Sequence, residues 1–262
     1  MSKTQFSPLF KGEMPFQFYN KENERRIHVL FRGDKQHKRL AEKLKACRPK
    51  HRCLSSACAT CTMHWRRPRV RTAARLFRTL DDVCFVTLVP DKFFVSKSGL
   101  ENVKIGGFKN RLFKKMGEHL SPNTIAMGII EASYDDKLKR VSVHMHLVIA
   151  NNSKEQINRL RRFYTSVLPN LIRGMNVKEV DETPEDIKRT ISYTMKGTTD
   201  FKPKVKKPKS FKPKKGKSTR SPEDIERALL LFRDRHKLNQ FRFLKNLKKK
   251  GILLKPTISL DP

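Results

Sequence analysis

Acidic residues are scarce in this chain: 25 Asp and Glu stand against 59 Lys and Arg, a formal net charge of +34 over 262 residues. An excess of that size, spread along the whole sequence, goes beyond what solubility needs and points to a polyanionic partner, with nucleic acid first. Long apolar runs are also missing. No uninterrupted stretch is long enough to span a bilayer, and the opening MSKTQFSPLF is polar and broken by Pro8, unlike a signal peptide. A membrane partner is therefore not expected. Finally, the five cysteines are an odd number, which does not suit a fully paired disulfide framework. Reduced thiols in a cytoplasm are the expectation.

Against that background, VSVHMHLVIA (141–150) places two imidazoles in a stretch that otherwise reads as core. Side chains alternate along a strand, so Val141, Val143, Met145, Leu147 and Ile149 share an apolar face. His144 and His146 share the other, close enough to bind one ion. Paired histidines on a solvated sheet face, binding nothing, are the alternative. The preceding NTIAMGIIEASYDDKLKR supplies a second strand and a polar turn. A hairpin centred between Lys137 and Leu138 sets Glu131 opposite His144, and a slip of one residue would undo this.

CRPKHRCLSSACATC carries Cys47, Cys53, Cys58 and Cys61 as C-x5-C-x4-C-x2-C, with His51 and His64 nearby. Four thiols this close, ending in C-x2-C, can close a tetrahedral zinc site. An iron–sulfur cluster and four unligated thiols are the alternatives. Cys84, within DDVCFVTLVP, reads as a buried strand residue.

The remaining pattern predicts a helix over 34–47, a strand over 82–89 and a basic helix over 99–120 that Gly106 and Gly107 can interrupt. A helix over 153–168 and a strand over 175–182 follow. Thr183, Pro184, Glu185 and Asp186 then open a helix that should stop at Gly197, with Arg189, Tyr193 and Lys196 on one face. Residues 201–220 hold nine lysines, one arginine, three prolines and no acid, the composition of a disordered polycationic linker. A second helix start at Ser221 opens a small helical unit. The expected fold class is α+β, a central antiparallel sheet with helices packed on one face, a Cys-rich N-terminal segment and a basic C-terminal extension. The expected divisions are 1–66, 67–200, 201–220 and 221–262.

The order FVTLV (85–89), Glu131, HMH (144–146) and YTMK (193–196) resembles the three motifs of HUH single-strand endonucleases, in particular the single-tyrosine replication initiators of rolling-circle plasmids and phages. The resemblance spans residues 83–197 and lies in the combination, since His-x-His alone is a weak pattern. It implies that His144 and His146 are metal ligands for manganese or magnesium, with Glu131 a third ligand or a water-activating base. It implies Tyr193 as nucleophile and Lys196 as a cation beside the scissile phosphate. Tyr164, also on a basic helix, is the next candidate nucleophile, although its spacing from Ile157 and Leu160 suits core better. The stretch around Thr87 is implied to be structural. One tyrosine in the third motif argues against a two-tyrosine strand-swapping mechanism, and the cysteine group lies outside the implied nuclease core.

The implied activity is nicking and rejoining of single-stranded DNA at a replication origin through a 5′-phosphotyrosine link. Single-stranded DNA is the implied partner, and a host helicase is a further candidate. Arg189, Lys206, Lys207, Lys214 and Lys215 are the expected backbone contacts. A relaxase or transposase is the near alternative, and a non-catalytic zinc-stapled DNA- or RNA-binding regulator is the distant one.

Overall fold

The computed structural model describes residues 16–136, 138–164, 174–181, 183–196, 221–250 and 253–258. In chain order these form α1 (Phe16–Phe31), α2 (Lys35–Lys45), α3 (Ala59–Phe77), β1 (Cys84–Leu88), β2 (Phe94–Val95), α4 (Ile105–His119), β3 (Ile125–Asp135) and β4 (Arg140–Ala150). There follow α5 (Lys154–Phe163), β5 (Met175–Glu179), α6 (Pro184–Thr194), α7 (Glu223–Arg235), β6 (Arg242–Lys245), β7 (Leu247–Lys250) and β8 (Leu253–Pro256). The fold class is α+β with an antiparallel sheet, as the sequence predicts. Among the described residues no helix is long and apolar enough to cross a membrane.

The sheet runs β5-β1-β4-β3-β6, with β2 paired to the start of β4. Its spine is the β3–β4 hairpin, which holds Glu131 opposite His144 in the register its turn predicts. The turn fits its residues. Lys139 sits at φ 52, and the Asp135 carboxylate accepts a hydrogen bond from the Leu138 N–H at 3.1 Å. Val141, Val143, Met145, Leu147 and Ile149 are all fully buried. Each such burial contributes roughly 1.5–3 kcal/mol, so this face anchors the hairpin. Helix α4 lies over it, with Phe113 against Phe243 at 6.5 Å and Phe108 stacked on Phe93 at 4.7 Å.

The helices do not keep to one face. The α6 side chain of Tyr193 packs on His146, on the opposite side of the sheet, and α3 braces α6 from behind through Arg66 and Ser192. Only part of the histidine face is therefore left open.

Helix α1 gives little apolar signal because polar and charged groups share its inward face with Tyr19, Val29 and Leu30. Glu22, Asn23 and Arg26 are buried. Arg26 donates to Glu22 at 3.0 Å and to the Ala57 carbonyl at 2.8 Å, and Arg25 bridges Glu22 to Glu226 of α7. Burial would raise the Glu22 carboxyl, but the Arg25 hydrogen bond and both guanidinium charges hold it at about 2.

Other boundaries shift. Helix α3 runs through the division expected at residue 66. The helix expected over 99–120 is a short 3-10 turn (Ser98–Asn102) followed by α4, and the break comes before Gly106 and Gly107. The helix expected over 153–168 stops at Phe163, and residues 165–168 lie outside those described. Among the described residues, the C-terminal part is helical only in α7. Beyond it β6 joins the main sheet beside β3, and β7 pairs with β8. The linker expected over 201–220, with Lys206, Lys207, Lys214 and Lys215, lies outside the described residues.

Candidate active site

Opposite residues of antiparallel strands point to the same face, so the pairs Glu131↔His144 and Thr87↔His146 bring three strands to one spot. A glycine permits the close approach. A Cβ at Gly128 would lie 2.3 Å from the His146 carbonyl oxygen, so no larger residue fits on β3 there.

The ring nitrogens are sorted by their partners. His144 Nδ1 lies 3.2 Å from the Ser142 carbonyl, and His146 Nδ1 lies 3.1 Å from the Thr87 hydroxyl. Both Nε2 atoms face Glu131, at 3.8 and 3.5 Å from Oε2. A carbonyl accepts only, so His144 carries its proton on Nδ1 and presents a free lone pair at Nε2. Thr87 thus orients a candidate ligand, beyond the structural role the resemblance implies for its strand. Alternation places Thr87 on a face of β1, but the partner of that face is set by long-range pairing.

The electrostatics keep the carboxylate of this cluster ionised. Burial would raise the Glu131 carboxyl, but His146, then His144 and Lys196, hold it at about 2. Burial also pushes His144 down, toward the neutral imidazole, against the pull of Glu131. An anionic carboxylate beside a neutral His144 favours a divalent cation. Glu131 Oε1 is buried without a hydrogen-bond partner, and the ligand atoms of the three residues lie within 4.8 Å of one another. These donors fit a metal of mixed nitrogen and oxygen preference.

Tyr193 closes the site. Its ring centroid is 5.2 Å from that of His146 and 5.5 Å from that of Phe85, and Phe85 itself stacks on His146 at 5.5 Å. The side chain stays 49% exposed, which leaves room for a substrate. Helix α6 starts as predicted: Thr183 caps it by accepting from the Asp186 N–H at 3.2 Å, and Pro184 follows. It ends earlier than predicted, at Thr194 rather than Gly197, so Lys196 lies past the helix. The Lys196 ammonium nevertheless sits 5.7 Å from the Tyr193 ring centroid. Arg189 is engaged with Asp186 at 2.8 Å on the exposed side of α6. Tyr164 is buried, and burial raises its phenol to about 12, which suits a core residue.

The chain matches no family model, no curated protein and no solved structure.

A second cluster lies where α3 begins. The Sγ atoms of Cys47 and Cys61 are 3.5 Å apart, those of Cys53 and Cys61 3.6 Å, and those of Cys58 and Cys47 3.9 Å. Tetrahedral bonds of about 2.3 Å to zinc set sulfurs roughly 3.8 Å apart, whereas a disulfide needs about 2.05 Å. Cys58 caps α3, and its sulfur accepts the Cys61 N–H at 3.4 Å. Hydrogen bonds from Cys53 and Cys58 hold the Cys61 thiol down to about 4, while hydrogen bonds with Cys53 and Cys61 push Cys58 up. Neighbouring thiols cannot all ionise unless a cation compensates them. His51 and His64 stay outside the cluster: His64 pairs with Arg52 at 2.7 Å.

One titration follows from the charges of the Glu131 cluster. Burial, then the Glu131 carboxylate, raises the Tyr193 phenol above its ordinary value. A cation at Glu131 masks that second cause. Difference absorbance at 295 nm between the native protein and Tyr193→Phe is expected to place Tyr193 above pH 10 without divalent metal and lower with manganese added. No movement on adding manganese would contradict the coupling.

Proposed function

We propose that this chain is the replication initiator of a rolling-circle replicon, an HUH-type endonuclease that nicks and rejoins single-stranded DNA. What supports this role above all is the packing of the exposed Tyr193 on His146 in a cluster whose other members are His144 and Glu131.

Glu131, His144 and His146 would hold manganese or magnesium. When bound, such an ion polarises a non-bridging phosphate oxygen and stabilises developing charge. The residues of the chain supply the rest. A phenol with pKa near 10 is only about 0.1% ionised at pH 7, so Tyr193 needs positioning and local charge to attack. Phe85 and His146 fix the plane of its ring. Lys196 brings positive charge beside the phenol. In the transfer, a bond forms between Tyr193 Oη and phosphorus as the bond from phosphorus to the 3′ oxygen breaks. The phenol proton ends on the 3′-hydroxyl, and the 5′-phosphotyrosine link conserves the phosphodiester energy for rejoining.

The Cys47, Cys53, Cys58 and Cys61 set would carry structural zinc. The large positive charge would hold DNA by its backbone, with binding that weakens in salt by about 0.7 per neutralised phosphate on a logarithmic scale. The test is covalent capture. Native protein with single-stranded origin oligonucleotides and manganese is expected to give a denaturant-stable protein–DNA adduct that EDTA prevents. Salt-sensitive binding with no adduct on any single-stranded substrate would favour a non-catalytic binder instead.

A further inference from the structure

We propose that Arg66, a residue of the helix that starts in the cysteine cluster, positions Tyr193 for attack; this deepens the endonuclease reading and rests on it. Arg66 lies two turns along α3 from Cys58, and it is 6% exposed. Its Nη2 donates to the Ser192 carbonyl at 2.8 Å and also to the Ser192 hydroxyl, and its Nη1 meets the Tyr19 hydroxyl at 3.4 Å. Ser192 is the residue directly before Tyr193 and is fully buried.

The contact has a specific cause. The last carbonyls of a helix have no intrahelical donors. At the end of α6 the Met195 N–H reaches the Ile191 carbonyl at 2.9 Å, and the Lys196 N–H reaches the Tyr193 carbonyl at 2.9 Å. The Ser192 carbonyl lies between these two and takes its donor from Arg66. A cation at this end also complements the helix dipole. Arg66 therefore holds the final turn of α6 from outside, at the peptide that joins Ser192 to Tyr193.

The link has a second anchor. Cys58 caps α3 and Cys61 sits in its first turn. The same helix thus carries two of the four clustered sulfurs at its start and the clamp on α6 further on. That arrangement gives the N-terminal segment a part in the chemistry: it holds the frame against which the tyrosine is set.

The experiment uses the full chain labelled with 3-fluorotyrosine, its Tyr193 resonance assigned by the Tyr193→Phe variant. Arg66→Ala is expected to shift or broaden that resonance and to slow single-turnover adduct formation about 100-fold, the scale of a misplacement near 1 Å. DNA affinity is expected to stay unchanged, and Arg66→Lys is expected to recover part of both losses. A folded Arg66→Ala protein with the native Tyr193 resonance and rate would overturn the proposal. Should Arg66→Ala fail to fold, Arg66→Met keeps the buried stem and removes every donor to Ser192: a displaced Tyr193 resonance supports the clamp, and an unmoved one overturns it. The resonance needs no nicking activity. A native protein that forms no adduct would therefore sink the endonuclease reading, while the fluorine signal still reports on Arg66.

Discussion

Tyr193→Phe is expected to abolish the covalent DNA adduct, a loss on the order of 10⁴-fold or more in rate, as when an enzyme nucleophile is deleted. The substitution removes one oxygen and keeps the ring. The contacts at 5.2 Å to His146 and 5.5 Å to Phe85 survive, so the fold and the metal donors are retained. Binding to single-stranded DNA, driven by the excess of 59 basic over 25 acidic residues, should keep its affinity and its salt dependence. The only other phenol raised at the sequence level, Tyr164, cannot stand in, because it is buried and held at about 12. Denaturing gels of protein with end-labelled oligonucleotide read the outcome. An adduct of native yield from Tyr193→Phe would move the nucleophile elsewhere and remove the basis of the proposed role.

The second large effect belongs to the cysteine cluster. Elemental analysis of native protein should find about one zinc per chain, and the Cys58→Ser, Cys61→Ser double variant should have none. Structural zinc sites are worth about 10–16 kcal/mol in small zinc-dependent units. Here a hydrophobic cluster of Leu30, Leu40, Leu44 and Leu230 shares the load, so the expected loss is a fraction of that, still several kcal/mol. It should appear as a lower melting temperature of the N-terminal helices. Because α3 also carries Arg66, adduct formation should fall with it. A double variant that melts with the native protein, or native protein that is metal-free and fully folded, would show that the four sulfurs meet without a metal.

How much of this was legible in the sequence depended on the range of the contact involved. Glu131 opposite His144 follows from local facts, a polar turn and two alternating strands whose hairpin fixes the register. The start of α6 was equally local, written in Thr183, Pro184 and the two acids after it. By contrast, Thr87 and Phe85 reach His146 through the pairing of β1 with β4, strands more than fifty residues apart, which alternation alone cannot align. Helix α1 escaped because Glu22, Asn23 and Arg26 break up the apolar pattern of its buried side and look like surface until their partners in α7 and the cysteine loop are known. Strand β6 escaped because RFLK is short and basic and pairs with β3 across more than a hundred residues. Arg66 had no signal of its own among the many arginines of α3; only its hydrogen bond to the Ser192 carbonyl distinguishes it.

The central claim is that Glu131, His144 and His146 together hold a divalent cation beside Tyr193. Crystals grown with manganese and measured at its absorption edge test it most directly. The expected result is an anomalous peak bonded to Nε2 of both histidines and to a Glu131 carboxylate oxygen. Manganese found only at other positions, or absent while the three side chains keep their present spacing, would contradict it.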